Sequence, residues 1–197
     1  SFGGLLCDDM GLGKTHQAMA LMRAITAGDA LARILVVCPT SVIDHWRTKL
    51  ADYLPGIDVE PFTGGTPGQG RVVLASYGIA RNHAAPLSRA RWDLFVLDEI
   101  QTIKNRSTAT HQALSGVPRR IALGLTGTPV ENHVGELRTL LEFVQPGYLP
   151  GEASFDRHYA VPIERDLPGA RDRLARLIDP FVLRRTKAQV LPQLPEK

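Results

Sequence analysis

The chain has 197 residues, 44% hydrophobic and 22% charged, enough apolar material for one ordinary core, which excludes an intrinsically disordered segment. No run reaches the roughly 20 apolar residues of a membrane-spanning helix, and the residues after Ser1 lack the basic flank and apolar stretch of a secretory leader, so no membrane is expected among the partners. A net charge of +3 is too small to imply a polyanionic partner by itself.

From the amino terminus, Leu5–Cys7, Ile34–Cys38, Val72–Ser76, Leu94–Asp98 and Ile121–Thr126 are short, apolar and unalternating, the pattern of strands buried on both faces. Between the first two, Ala18, Leu21, Met22 and Ile25 fall on one face of a helix. Ser41 and Asp44 suit the cap and first turn of a helix carrying Val42, Trp46 and Leu50. Thr63–Gly70, with four glycines and a proline, reads as a loop. Val134, Leu137, Leu141 and Val144 repeat the helical spacing. Pro146, Gly147, Pro150 and Gly151 then break the pattern, and an Arg-rich stretch with one helix (Leu174, Leu177, Ile178) leads to a last β-type run, Phe181–Leu183. The alternation predicts an α/β fold with a mostly parallel sheet flanked by helices. Its expected divisions are a lobe over residues 1–145, a helical stretch over 146–180 and a returning strand within 181–197. Cys7 and Cys38 lie in apolar runs and are expected as buried thiols. The histidines show no metal-ligand spacing.

Chemistry concentrates where the strands end. Gly11-Leu12-Gly13-Lys14-Thr15 stands between the first strand and the first helix. Glycines let successive N–H groups turn toward one phosphate; the helix N-terminus and Lys14 add positive charge, and the Thr15 hydroxyl suits Mg²⁺. The generic phosphate loop has glycine where Asp8 stands. Leu94–Leu97 deliver Asp98 and Glu99 to the end of another strand. Two adjacent buried acids are costly without a cation, so Asp98 is expected on Mg²⁺ and Glu99 on the water attacking the γ-phosphate. A solvated acid pair is the alternative. Pro39-Thr40 and Thr126-Gly127-Thr128-Pro129 follow two further strands. Ligands in open α/β sheets bind outside the carboxyl ends of strands, so a nucleotide site is the economical explanation.

The run Cys7-Asp8-Asp9-Met10-Gly11-Leu12-Gly13-Lys14-Thr15 resembles the first motif of the Swi/Snf-type ATPases of helicase superfamily 2, which carry an acid where Asp8 stands. Val36–Thr40 with Trp46, Asp98-Glu99-Ile100-Gln101 with Ile103-Lys104-Asn105, Leu125–Pro129 with Glu131-Asn132, and Phe181–Lys187 with Leu194–Lys197 are similar to later motifs, in order, across essentially the whole chain. The resemblance implies a RecA-like three-layer sandwich with a small helical protrusion near the C-terminus, the first motor lobe of an ATP-dependent double-stranded DNA translocase that does not separate strands. ATP and Mg²⁺ are the implied cofactors. Nucleotide contacts carry over onto Asp8, Met10, Gly11, Leu12, Gly13, Lys14, Thr15 and His16, catalysis onto Lys14, Asp98, Glu99 and Gln101, and metal binding onto Thr15 and Asp98. Coupling between nucleotide and DNA carries over onto Thr126, Gly127 and Thr128.

Candidates for DNA phosphates are Thr40, Arg47, Lys104, Asn105, Arg106 and Asn132. Trp46 reads as core or as a base-stacking side chain. Between Arg157 and Lys187 eight Lys or Arg accompany four Asp or Glu, and a solvated helix face and a DNA surface are both open readings. Ile100 departs from the small residue usual in the family, and Gln101 stands where many members have histidine. An adenine-contacting segment is expected ahead of Ser1, and a second RecA-like lobe with arginine fingers beyond Lys197. Arg184 and Arg185 are expected at the hinge or on DNA rather than as fingers. The lobe alone is therefore expected to bind nucleotide weakly and to hydrolyse almost nothing. A cytoplasmic, nucleoid-associated location is expected, and the DNA-bound protein target is unknown. Two other readings stay open. One is another superfamily-2 helicase or restriction translocase, against which Leu183-Arg184-Arg185 argues. The other is a non-hydrolytic nucleotide-binding or docking module.

Overall fold

Seven strands form one sheet in a computed structural model that describes residues 2–127 and 134–190. They are β1 (Phe2–Leu6), β2 (Ile34–Cys38), β3 (Val59–Pro61), β4 (Val72–Ser76), β5 (Trp92–Asp98), β6 (Arg119–Leu125) and β7 (Val182–Leu183). Every pairing is parallel, and the order across the sheet is β3-β4-β2-β5-β6-β1-β7. The four strands expected to end in polar clusters are therefore neighbours: β2, β5, β6 and β1. Register aligns their ends, with Asp98 opposite Leu125 and Leu125 opposite Leu6.

Two helical layers cover the sheet, as the unalternating strands require. On one face, α1 (Lys14–Gly28) and α2 (Ile43–Tyr53) press Ala18, Met19, Met22, Trp46 and Leu50 onto Ile34, Val36, Leu94 and Val96. The other face carries α3 (Tyr77–Asn82), α4 (Ala84–Ser88), α5 (Ala109–Ser115) and α6 (Val134–Val144), packed against Leu35, Val37, Phe95 and Leu97. Beyond α6 come three short helices, α7 (Glu152–Phe155), α8 (Val161–Glu164) and α9 (Ala170–Ile178), with a π-helical segment (Asp156–Ala160) joining the first two. Their Phe155, Ile163, Ala170 and Leu174 join the same apolar layer as the sheet. A last turn, α10, spans Lys187–Val190. Among the described residues no helix is long and apolar enough to cross a membrane.

The strands are where the apolar runs predict them, with two instructive differences. β1 begins three residues before Leu5, because Gly3 and Gly4 disguise it. A Cβ on Gly3 would lie 2.3 Å from the carbonyl oxygens of both Ala122 and Val144, so only glycine fits between β6 and the end of α6. β3 carries no predictive run at all; its three residues pair only with β4 at the sheet edge. Ser41 is not the expected helix cap. It sits in a 3₁₀ turn (Thr40–Val42), and Val42 precedes α2 without a side-chain cap. Cys7 and Cys38 are both buried thiols, as expected. They lie at the ends of β1 and β2, three strand positions apart, about 14 Å at normal spacing and beyond disulfide reach.

Candidate functional site

The stretch from Asp8 to Gly13 turns from β1 into α1. Gly11 and Gly13 hold φ of 89° and 79°, a left-handed backbone that favours glycine, and Gly13 is the N-cap of α1 with no side-chain cap bond. Helix N-terminal amides without a side-chain partner are a ready anion site. Lys14 opens the helix and folds its ammonium back, donating to the carbonyl oxygens of Asp8 (2.7 Å) and Asp9 (3.2 Å). A Cβ on Gly127, just past β6, would lie 3.4 Å from the Lys14 Nζ and 2.7 Å from the Met10 Cγ, so the end of β6 and the turn after β1 meet without room for a side chain. Thr15 is half-buried in the first turn of α1.

Asp98 closes β5 and is pinned from both helical layers. From one, the indole Nε1 of Trp46 donates to its Oδ2 at 2.7 Å; from the other, the Tyr77 hydroxyl donates to its backbone oxygen at 2.9 Å. Burial pushes the Asp98 carboxyl above its ordinary value and the Glu99 charge adds to the rise, while the Trp46 bond and the Lys14 charge pull it back. The Lys14 ammonium thus acts on Asp98 across β6, the arrangement the sequence predicts. The same burial, with the Asp98 charge, pushes the Cys38 thiol up to about 12, leaving it protonated and unreactive.

Glu99 adopts φ 52°, an uncommon conformation for a residue with a side chain, and aims the chain into a 3₁₀ turn (Ile100–Ile103). Gln101 donates its amide to the Glu99 carboxylate at 2.6 Å, and its Oε1 is buried with no donor among the described residues. Ile100 is fully buried against β6, where a Cβ on Gly124 would lie 2.5 Å from its Cδ1. The bulk that departs from the family pattern is thus accommodated by a glycine on the neighbouring strand.

The SNF2-related domain model matches residues 1–197. The chain is 37% identical to the putative ATP-dependent helicase/translocase YwqA of Bacillus subtilis over 210 residues, 100% of this chain and 23% of that protein. Two solved structures of the Sulfolobus solfataricus SWI2/SNF2 ATPase core resemble it. The core in complex with double-stranded DNA superposes with a TM-score of 0.87 at 34% identity, covering 95% of this chain and 41% of that one. The structure of the core domain gives 0.85 at 33%, covering 98% and 42%. The chain belongs to the SNF2-related family. It spans about a quarter of the length of YwqA and less than half of either solved chain.

Within this SNF2-related fold, Thr15 and Asp98 are hard oxygen donors of the kind Mg²⁺ takes, and the half-buried pair of adjacent acids, with the Asp98 carboxyl raised by burial, is chemistry that a cation relieves, so the residues present fit a magnesium-bound triphosphate. His16 is exposed and packs edge-on against Tyr53, with ring centroids 4.9 Å apart. Among the DNA candidates, Thr40 is exposed just past β2. Arg47 is exposed and paired with Asp44 one turn earlier. Lys104 pairs with Glu136 at 2.9 Å, Asn105 accepts from the Ser107 amide and hydroxyl, and Arg106 is half-buried. Thr128 and Asn132 lie outside the described residues, as do Glu131 and the run after Val190.

Sequence reasoning missed two partnerships. Trp46 is core, as one reading held, yet its indole N–H also anchors Asp98. Arg185 is held by the Asp8 carboxylate, a pairing across the chain that the sequence does not announce.

Proposed function

We propose that this chain is the nucleotide-binding motor lobe of an ATP-dependent enzyme that tracks along double-stranded DNA without separating its strands. The carrying observation is convergence: Lys14 and Thr15 follow β1, Asp98 and Glu99 end β5, and these parallel strands flank β6 and end at one edge. Backbone amides of Gly11, Leu12 and Gly13, with Lys14 and the start of α1, hold the phosphates; Asp8, Met10 and His16 flank that loop. Lys14 leaves the carbonyls of Asp8 and Asp9 to meet the β- and γ-phosphates. Thr15 and Asp98 hold Mg²⁺, which when bound neutralises phosphate charge. Glu99, steadied by Gln101, orients the attacking water. Gly127 borders the Lys14 ammonium, and Thr126, Gly127 and Thr128 relay its occupancy toward DNA.

Thr40, Arg47, Lys104, Asn105, Arg106 and Asn132 hold phosphates of the tracked strand, a role that the likeness to a DNA-bound SWI2/SNF2 core supports. A second RecA-like lobe of the same parent chain completes the motor, and its work belongs at cytoplasmic DNA. The test uses the intact protein with a fluorescent ATP analogue and a turnover assay. Lys14→Ala abolishes nucleotide binding, whereas Glu99→Gln retains binding and loses about 10²–10⁴-fold in turnover. Wild-type hydrolysis by Lys14→Ala overturns the reading.

A further inference from the structure

The segment after β7 does not simply leave the sheet. The ladder between β1 and β7 pairs Leu5 with Val182 and Leu6 with Leu183. Its rungs then run on into the phosphate loop: the amides of Leu5, Cys7 and Asp9 donate in turn to the carbonyls of Phe181, Leu183 and Arg185, at 2.7, 2.7 and 3.1 Å. Side chains reinforce the backbone. The Arg185 amide donates to Asp8 Oδ1 at 2.8 Å, its Nε lies 3.3 and 3.2 Å from the two carboxylate oxygens, and its Nη2 reaches both Asp8 Oδ2 and Gln17 Oε1. Gln17 donates its own amide to Asp8 at 3.1 Å, and the Lys187 amide donates to the Asp9 carboxylate at 3.0 Å.

Asp8 is sealed from solvent by these partners. Burial alone raises its carboxyl, but the bonds from Arg185 and Gln17 outweigh that and hold it below its ordinary value. The two ends of the clasp differ in character. Asp8 is fixed between β1 and α1, whereas β7 is a two-residue edge strand joined to the sheet only through β1, and Lys187–Val190 are exposed. An element held by polar contacts and little apolar burial sits at the low-stability end of a fold.

We infer that residues 183–187 form a clasp that shapes the phosphate loop, with Arg185 as a positioning residue that acts on bound phosphate through Asp8. Docking of the clasp and nucleotide binding are then linked, each favouring the other by the same factor. The inference rests on the reading of the Asp8–Thr15 loop as the phosphate site. It gives Asp8, where a generic phosphate loop has glycine, a reason to be an acid.

The experiment compares the intact protein with Arg185→Met, Arg185→Lys, Asp8→Asn and the double variant Asp8→Asn/Arg185→Met. It measures the Kd for a fluorescent ATP analogue with Mg²⁺, the thermal shift that nucleotide produces, and amide exchange over residues 9–14 without nucleotide. Arg185→Met should weaken nucleotide binding about tenfold and shrink the thermal shift, with faster exchange in the loop. Arg185→Lys, which cannot bridge both Asp8 oxygens and Gln17, should fall between. The double variant should be no weaker than the worse single one, because both remove one contact. A lower melting temperature with unchanged Kd, thermal shift and loop exchange would make Arg185 merely structural and overturn the inference, as would additive losses. Should wild type bind no nucleotide, the phosphate-site reading fails instead, and loop exchange still decides the clasp: unchanged protection in Arg185→Met and Arg185→Lys overturns it.

Discussion

At the scale of single residues, the site depends on side chains whose role lies in what they hold. Asp98 is the proposed magnesium ligand, and its direction is set by Trp46, 52 residues away in the chain. Replacing Trp46 with Phe keeps most of the apolar surface against Val36 and Leu94 and removes the one donor on Oδ2. Outer partners of metal ligands typically contribute about 10- to 100-fold in metal affinity. The Mg²⁺ concentration for half-maximal ATPase should therefore rise by about that factor in Trp46→Phe, with a smaller change in maximal rate at saturating Mg²⁺. An unchanged Mg²⁺ requirement would mean that the indole serves packing alone. Neither this pair nor Asp8 with Arg185, 177 residues apart, is legible in the sequence. Periodicity reports which face a residue occupies, whereas a hydrogen bond between distant elements depends on strand order, which no local pattern encodes. The carboxylate pair itself was legible, because four apolar residues before two acids describe a strand end wherever the strand sits.

At the scale of elements, β1 leads into the proposed phosphate loop, and only its second half is visible in the sequence. Its first half holds Gly3-Gly4, residues of poor strand propensity: at Gly3, β6 and the end of α6 leave no space for a Cβ, and at Gly4 one would lie 3.1 Å from the Phe181 carbonyl oxygen. Gly3→Ala would place its methyl carbon 2.3 Å from two backbone oxygens, which cannot rotate away as a side chain would. Overpacking of this kind costs typically about 1–3 kcal/mol, and backbone atoms on both sides put Gly3→Ala at the upper end. Because the strand shifts, nucleotide affinity should fall with it. Gly78→Ala is the matched control. Gly78 is exposed in α3 with open space around its Cβ position, so alanine should stabilise by roughly 0.5–1 kcal/mol. Urea melts of both variants, with nucleotide titrations, check the pair; equal small effects would show that the close approach at Gly3 is not limiting. By contrast, β2, β4 and β5 needed no structure to find, since burial between two helical layers makes each an unbroken apolar run.

At the scale of the molecule, one sheet edge gathers the loop after β1, the acids after β5 and the turns after β2 and β6, and this gathering limits what the lobe does alone. Phosphoryl transfer needs metal, an oriented water and cations on the transferring oxygens. In the proposed mechanism, Lys14, Thr15, Asp98 and Glu99 answer the first two needs and part of the third. Three of the cations already have acidic partners, Arg185 with Asp8, Arg47 with Asp44 and Lys104 with Glu136, while the Lys187 ammonium lies beside the Gly11 turn. Recruiting Arg185 would also dismantle the clasp that shapes the phosphate loop. An arginine supplied from outside the lobe is worth roughly 10³–10⁵ in rate. The 197-residue chain by itself should accordingly hydrolyse ATP at least about 10³-fold more slowly than the intact protein under saturating DNA, while its Glu99→Gln variant shows no larger defect in nucleotide binding than wild type. Steady-state phosphate release from both, at matched Mg²⁺ and nucleotide, decides the point. Turnover by the lone lobe within tenfold of the intact protein would show that its own cations complete the site.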